Sequence, residues 1–306
     1  MSDIKLFRTN GKVEELPGTS VTVEKSLQLL FESNLEAFLG VQILESEYSI
    51  GPVHRGRIDT LGIDENHTPV IIEYKRATNE NVINQGLYYL DWLLDHKAEF
   101  QLLVQRKFGQ SEAEAIEWSS PRLICIAGDY TKFDEHAVQQ INRQIELFRY
   151  KRYGEEFLML ERVNVPQSTK TTDVKINAPS NSGAPAGPSK TFEDFANQLE
   201  GSLLDVYIAF RDYMLALGDD IQIKRLKYYE AYKRIRNVAT VVIQPQKTDF
   251  LVYVYKTDQM EWESSGVARV VDKLGHWGTG DLEITIHSID DLGKAKTLLE
   301  KAYERS

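Results

Sequence analysis

The sequence predicts an α/β protein in which a mixed β-sheet flanked by helices is followed by a separate α+β domain. Three observations lead there. Apolar, β-branched runs at 41–48, 57–63, 69–75 and 121–128 alternate with stretches whose apolar residues recur at helical spacing. Residues 164–190 are rich in Pro, Ser, Thr, Gly and Asn and nearly devoid of large apolar side chains, the composition of a flexible linker. After them come two helical stretches, several strand-like runs and a last helix. The expected organisation is a first domain over 1–163, a linker over 164–190 and a second domain over 191–306.

In the first domain, residues 4–16 form a hairpin about Asn10-Gly11, a pair suited to a tight turn. A helix follows from Thr22, its cap, to Gly40, its stop. Glu32 and Glu36 lie four apart on it and share a face, which for Glu32 reads as a solvated face. After the strand at 41–48, the loop 49–56 ends in His54-Arg55-Gly56-Arg57, suited equally to a phosphate backbone and to a turn with solvated arginines. Residues 57–63 and 69–75 are two strands joined through Asp64-Glu65-Asn66-His67, hence a second hairpin. Asn79 then caps a helix carrying Val82, Ile83, Leu87, Leu90, Leu93 and Leu94. Helical signals continue through Phe108, and a short helix falls at 112–118. The run 121–128 is continuously apolar, as for a strand buried on both faces. Residues 133–141 are amphipathic, and 145–163 form a closing strand pair that turns at Tyr153-Gly154-Glu155.

In the second domain, helices are expected at 192–199, 203–217 and 289–303, and strands at 238–243, 250–255 and 282–286. Residues 221–236 read as either strand or helix. They interleave Tyr228, Tyr229 and Tyr232 with six basic residues and one Glu, a local net charge of +5. Such a stretch can grip phosphates and stack on bases, or form a half-buried strand with its basic residues outward. Residues 275–281, GHWGTGD, match no dinucleotide or phosphate-loop pattern and read as a sharp turn.

The chemistry concentrates in the second hairpin. Asp59 interrupts an apolar run and Glu73 follows Val70-Ile71-Ile72, so both carboxylates fall where a strand is normally buried. Burying a charge is costly unless it is paired or binds a metal. The period of two puts Glu73 and Lys75 on one face and Tyr74 and Arg76 on the other. Two acids and one base therefore converge at one end of the hairpin. A divalent cation relieves the repulsion between the acids, and hard oxygen donors favour Mg2+. A lysine beside it can position an attacking water or neutralise charge developing on phosphate, which suits phosphodiester hydrolysis. The alternative is an exposed hairpin with a surface Glu–Lys pair.

Composition sets limits. The chain has 306 residues, 42% hydrophobic, with no apolar run of membrane-spanning length and no apolar signal core in MSDIKLFRTNGK. A soluble, cytoplasmic protein without a membrane partner is expected. The single cysteine, Cys125, lies in an apolar strand and reads as a buried, inert thiol, so disulfides and Cys/His zinc sites are excluded. The net charge of −10 divides as 18 Lys/Arg against 26 Asp/Glu over 1–165 and 18 against 20 over 166–306. This weighs mildly against nonspecific nucleic-acid binding, although phosphate affinity depends on local basic contacts.

The series GRID, VIIEYKR and NQGLYYL resembles the PD-(D/E)XK nuclease superfamily, most closely the nuclease domain of the NucS (EndoMS) mismatch endonucleases and their RecB-like relatives. The resemblance implies a restriction-endonuclease-like sheet and a metal-dependent DNA endonuclease. Asp59, Glu73 and the backbone carbonyl of Tyr74 would hold Mg2+ or Mn2+. Glu36, from the helix before the hairpin, would supply the third carboxylate, and Lys75 would assist the attacking water. Gln85 would orient the site or touch DNA, and Arg57 and Arg76 would meet backbone phosphates. Lys224, Arg225 and Lys227 are the expected nucleic-acid contacts of the second domain. A DNA-binding domain of the NucS kind is not found before the nuclease-like stretch, so mismatch specificity is not carried over. The second half resembles a bacterial domain of unknown function found in proteins once labelled predicted transport proteins. The expected role is genome defence against phage or plasmid DNA, or DNA repair, with a two-fold homodimer favoured for cutting both strands. The rival expectation is a noncatalytic nucleic-acid-binding or scaffold protein that keeps the fold.

Overall fold

The structure, a computed structural model, describes residues 4–20, 24–51, 55–75, 82–164, 191–244, 249–257, 261–272 and 274–306. Thr22, His54, Arg76, Asn79 and residues 165–190, almost all of the expected linker, lie outside the described residues. The chain divides into two compact units, Met1–Thr169 and Lys170–Ser306.

The first unit opens with a small antiparallel hairpin of β1 (Leu6–Arg8) and β2 (Glu14–Leu16) about Gly11 at φ 111°. Helices α1 (Glu24–Glu32) and α2 (Leu35–Leu39) stand where one helix was expected. The break follows from Ser33 and Asn34, whose side chains bond back to the carbonyls of Leu29 and Leu30. Gly40 ends α2 in the left-handed conformation, at φ 62°.

Seven strands build the main sheet: β3 (Gly18–Thr19), β4 (Val41–Ser49), β5 (Arg57–Asp64), β6 (Pro69–Lys75), β7 (Arg122–Ala127), β8 (Gln144–Tyr153) and β9 (Phe157–Arg162). Their order is β3-β8-β7-β6-β5-β4, with β9 also paired to β8. β7 pairs in parallel with both β6 and β8, and the other pairings are antiparallel. The sheet is therefore mixed, as expected. Parallel neighbours require crossovers. α3 (Val82–Asp95), α4 (Lys97–Phe108) and α5 (Gln110–Glu114) fill the first, and α6 (Lys132–Gln140) the second. The helical run through Phe108 breaks at His96, whose ring Nδ1 lies 2.8 Å from the Trp92 carbonyl oxygen.

Every residue of β7 is buried, including Cys125, because helices cover both sides of a central parallel strand. On one face Ile71, Leu123, Cys125, Ile145 and Leu147 pack with Leu90 and Leu93 of α3. Gly86 lets α3 seat closely, since a Cβ there would lie 2.5 Å from Leu123 Cδ1. On the other face Tyr74 packs against Phe31 of α1, ring centroids 5.8 Å apart. At the N-terminal end of the parallel strands a buried ion-pair cluster joins β7 and β8 to the last residue of antiparallel β5. Arg122 Nη1 reaches Asp64 Oδ2 at 2.9 Å and Nε reaches Glu146 Oε1 at 2.6 Å. Asp64 also accepts from the N–H groups of Asn66 and Thr68, closing the turn before β6.

The second unit is α+β. Strands β10 (Gln222–Arg225), β11 (Glu230–Lys233), β12 (Asn237–Gln244), β13 (Asp249–Val254), β14 (Ala268–Val270) and β15 (Leu282–Ile286) form an antiparallel sheet in the order β10-β11-β12-β13-β15-β14. α7 (Phe192–Ala196), α8 (Gly201–Ala216) and α10 (Ile289–Arg305) supply Phe192, Phe210, Met214, Leu298 and Leu299 to the core against Val241, Phe250, Val252 and Ile284. The ambiguous stretch 221–236 is the hairpin of β10 and β11. Two short elements were not expected, α9 (Trp262–Ser265) and β14, both too brief for a periodic signal. Among the described residues, no helix is long and apolar enough to cross a membrane.

Candidate active site

β5 and β6 pair in register from Ile63 opposite Pro69 to Thr60 opposite Ile72. One step further the acids take over the ladder. The Asp59 N–H donates to Glu73 Oε1 at 3.1 Å, and the Tyr74 N–H donates to Asp59 Oδ2 at 3.0 Å. Each carboxylate accepts from a backbone donor of the opposite strand, donors that would otherwise lack a partner where the strands part. The position lies at the C-terminal end of β6, the end at which open α/β sheets place their ligands.

The electrostatics are strained. Glu73 has no exposed surface, and its Oε2 has no hydrogen-bond partner. Burial, followed by the charge of Asp59, pushes its carboxyl up to about 9. Burial likewise holds Asp59 above the ordinary carboxylate range, opposed by the bond from the Tyr74 N–H. Lys75 sits alongside. Burial disfavours its charge, yet Glu24 of α1, 3.2 Å from Nζ, together with Asp59 and Glu73, raises its pKa and keeps it an ammonium.

Glu24 is the carboxylate that the sequence left unmarked, because an acid in the first turn of a helix already has a role toward the helix dipole. Glu36 is exposed on the separate helix α2, and the acids acting most strongly on Asp59 are Glu24 and Glu47. The break at Ser33-Asn34 detaches Glu36 from the helix that reaches the hairpin. Glu32 is corrected: it is half-buried, accepting from Thr60 Oγ1 at 2.6 Å and from Gln28 Nε2 at 2.9 Å. Gln28 Nε2 also donates to the Asp59 carbonyl at 2.8 Å, tying α1 to the strand that carries the acid.

Gln85 donates to the Tyr89 hydroxyl at 3.2 Å, and that hydroxyl accepts from the Arg57 N–H at 3.2 Å. Gln85 thus braces the start of β5 through Tyr89, beside Gly56, where a Cβ would lie 2.6 Å from the Tyr89 ring. The Arg57 guanidinium is exposed and bound to Glu47 at 2.6 Å. The Tyr74 side chain is buried on the opposite face, where its hydroxyl lies 3.3 Å from that of Thr60.

Among the described residues, no group of three or more His, Cys, Asp or Glu side chains has metal-holding geometry. The expected three-carboxylate set with Glu36 is therefore not assembled. The pair fits a divalent cation on its own terms: two carboxylates whose pKa values are both raised by burial, that of Glu73 further by the charge of Asp59, with one buried oxygen lacking a donor. Magnesium is commonly held by one or two carboxylates with several waters.

The basic–aromatic stretch of the second unit is corrected in part. Arg225 is committed to Glu230, 2.8 Å away and wholly buried, which also accepts from the hydroxyls of Tyr207 and Tyr232. Tyr229 and Tyr232 are buried, so neither presents a face to a base. Lys224 is half-buried in β10. Lys227 is exposed, with Nζ 4.8 Å from the Tyr228 ring, and Tyr228 packs on Trp277 at 3.9 Å between centroids.

Residues 192–306 match a sequence family described as a domain of unknown function (DUF5655). A protein of Haemophilus influenzae, described as uncharacterized, is 29% identical over 306 residues, covering 98% of this chain and 100% of that one. Weak structural similarity extends to an EndoMS–double-stranded DNA complex, with a TM-score of 0.25 and 19% identity over 44% of this chain and 48% of that chain. A repair endonuclease from Pyrococcus abyssi gives a TM-score of 0.24 and 16% identity over 45% and 51% of the two chains. The match spans about half the length of each of these solved chains.

Proposed function

We propose that the first unit is a metal-dependent nuclease that hydrolyses DNA phosphodiester bonds, acting in genome defence or repair. The observation that carries this reading is the crossed pair of Asp59 and Glu73 at the parting of β5 and β6, with the Lys75 ammonium beside them. Asp59, Glu73 and the carbonyl of Tyr74 would hold Mg2+ or Mn2+. When bound, the ion would supply Lewis-acid polarisation of a phosphoryl oxygen and a more acidic water. Lys75 holds a positive charge at the mouth of the site, where it stabilises charge developing on phosphate and orients the attacking water. Glu24 positions Lys75 through their ion pair, and Gln28 and Gln85, the latter through Tyr89, brace β5. Arg57 and Arg76 remain the candidates for backbone phosphates, with Lys224 and Lys227 as further candidates in the second unit. Nicking of both strands would call for two copies of the chain.

A plasmid-nicking assay with Mg2+ or Mn2+ tests the reading. Asp59→Ala and Lys75→Ala are each expected to lower nicking by roughly 100-fold or more, the scale of lost transition-state stabilisation. Glu24→Gln should cost about tenfold by loosening Lys75, and Glu36→Ala should leave the rate unchanged. A native chain that nicks no faster than Asp59→Ala and Lys75→Ala removes the enzyme reading and leaves a noncatalytic protein that keeps the fold.

A further inference from the structure

Glu47 breaks two local rules at once. It lies within β4 at a φ of 56°, the left-handed region that residues with side chains rarely adopt. The other described non-glycine residues with positive φ, Arg55 and His67, lie in turns outside the strands. The pairing of Ser46 with Thr60 and of Tyr48 with Ile58 sets Glu47 opposite Asp59. Two acids therefore face each other across the ladder, an arrangement that weakens a sheet. The charge of Glu47 accordingly adds to the rise in the Asp59 pKa.

What Glu47 makes in return is a bridge between two cations. Lys25 Nζ, from α1, lies 2.8 Å from its Oε1, and Arg57 Nε, from β5, lies 2.6 Å from its Oε2. Their side chains are 49% and 66% exposed, so these donors are open to solvent and to a ligand arriving from it. Exposed pairs of this kind add little stability. They do not offset a strained backbone and facing acids, a combination that persists where it serves function. Lys5 and Glu15, 3.3 Å apart, form an exposed pair without either feature. A carboxylate that accepts one bond from a lysine and one from an arginine also matches the chemistry of a phosphodiester, whose two free oxygens can accept the same pair.

We propose that Glu47 stands in for a backbone phosphate of DNA. It gathers Lys25 and Arg57 at the edge of the acid pair, and a phosphate takes over both cations when DNA binds. This rests on the nuclease reading of the first unit and adds Lys25 and Glu47 to the residues that place the strand.

The test is fluorescence anisotropy of a labelled DNA duplex titrated with the full chain in EDTA, so that binding is read without cleavage. Lys25→Gln and Arg57→Gln should each weaken binding about fivefold or more. The double variant should fall short of the product of the two effects, because both cations serve one phosphate. Its slope of log affinity against log salt should be shallower by about 0.9, one phosphate contact. Glu47→Gln should tighten binding about threefold, since it removes the competing charge. Lys5→Gln should bind as the native chain does. The proposal is overturned by no saturable binding to the native chain, by native affinity in Lys25→Gln or Arg57→Gln, by Glu47→Gln that binds no tighter than the native chain, or by Lys5→Gln that weakens binding as much as Lys25→Gln. Plasmid nicking by the same proteins separates the two readings. Nicking by the native chain with duplex binding indifferent to Lys25 and Arg57 sinks the phosphate stand-in alone. Binding that depends on both cations without nicking sinks the enzyme reading alone.

Discussion

A carboxylate without exposed surface and with one oxygen lacking a donor, Glu73 keeps its proton up to about pH 9, against an ordinary value of 4.5. Its folded-state pKa is raised, so its contribution to stability is full below the ordinary value and is lost as pH rises through the window from 4.5 to about 9. Asp59 is shifted in the same direction and adds to the trend. The metal-free chain is therefore expected to melt progressively lower between pH 5 and pH 9, as followed by circular dichroism. Glu73→Gln should flatten that slope and raise the melting temperature at pH 8 by on the order of 5 °C. A steeper slope in the variant, or none in the native chain, contradicts the assignment. At this scale the sequence was legible for Asp59 and Glu73, because an acid inside an apolar strand stands out locally. It was not legible for Glu24, because whether an acid in the first turn of a helix reaches a lysine fifty-one positions away is decided by tertiary packing. Arg225 shows the same limit from the other side. It reads as a free cation in the chain and is held in the fold by the buried Glu230.

At the scale of elements, strands and hairpins were legible where alternation or a continuous apolar run left one choice of face, as in β6 and β7. Helix boundaries were less so. Ser33-Asn34 broke one expected helix and His96 another, in both cases through bonds back to the preceding turn that periodicity does not register. The stretch 221–236 resolved as a hairpin because Tyr232 is buried against Phe210, ring centroids 5.4 Å apart, while Arg225 pairs with Glu230 across the ladder. The seating of α3 on β7 is the contact between elements most exposed to a small change. Gly86→Ala would bring a methyl carbon 2.5 Å from Leu123 Cδ1, against the side chain of a fully buried strand. Overpacking of this kind costs about 1–3 kcal/mol, and urea unfolding should show it as a lower midpoint at unchanged slope. An unaltered midpoint would mean that Leu123 has room to move.

At the scale of the first unit, the charged cluster lies at one end of the main sheet and the acid pair at the other. Arg122 ties the starts of β7 and β8 to the end of β5 through Glu146 and Asp64, with all three side chains at most 3% exposed. Arg122→Ala strips the positive partner from two buried acids and is expected to destabilise the first unit by about 3–5 kcal/mol, measured by urea unfolding. Destabilisation below about 1 kcal/mol would show that the acids find other partners. The mixed sheet and the α+β second unit were legible from the order of apolar runs and the composition of 164–190. The ion-pair cluster was not, because Asp64, Arg122 and Glu146 are dispersed along the chain and meet only when β5, β7 and β8 assemble.

We propose Asp59 and Glu73 as the joint seat of a divalent cation. Titration of Mn2+ followed by electron paramagnetic resonance of the free ion tests it without reference to any substrate. One site per chain is expected, stronger at pH 8 than at pH 6 because a proton competes for Glu73, lost in Asp59→Ala and in Glu73→Ala and retained in Glu36→Ala. Manganese that stays free in the presence of the native chain, or that binds equally well when both acids are replaced, would contradict it.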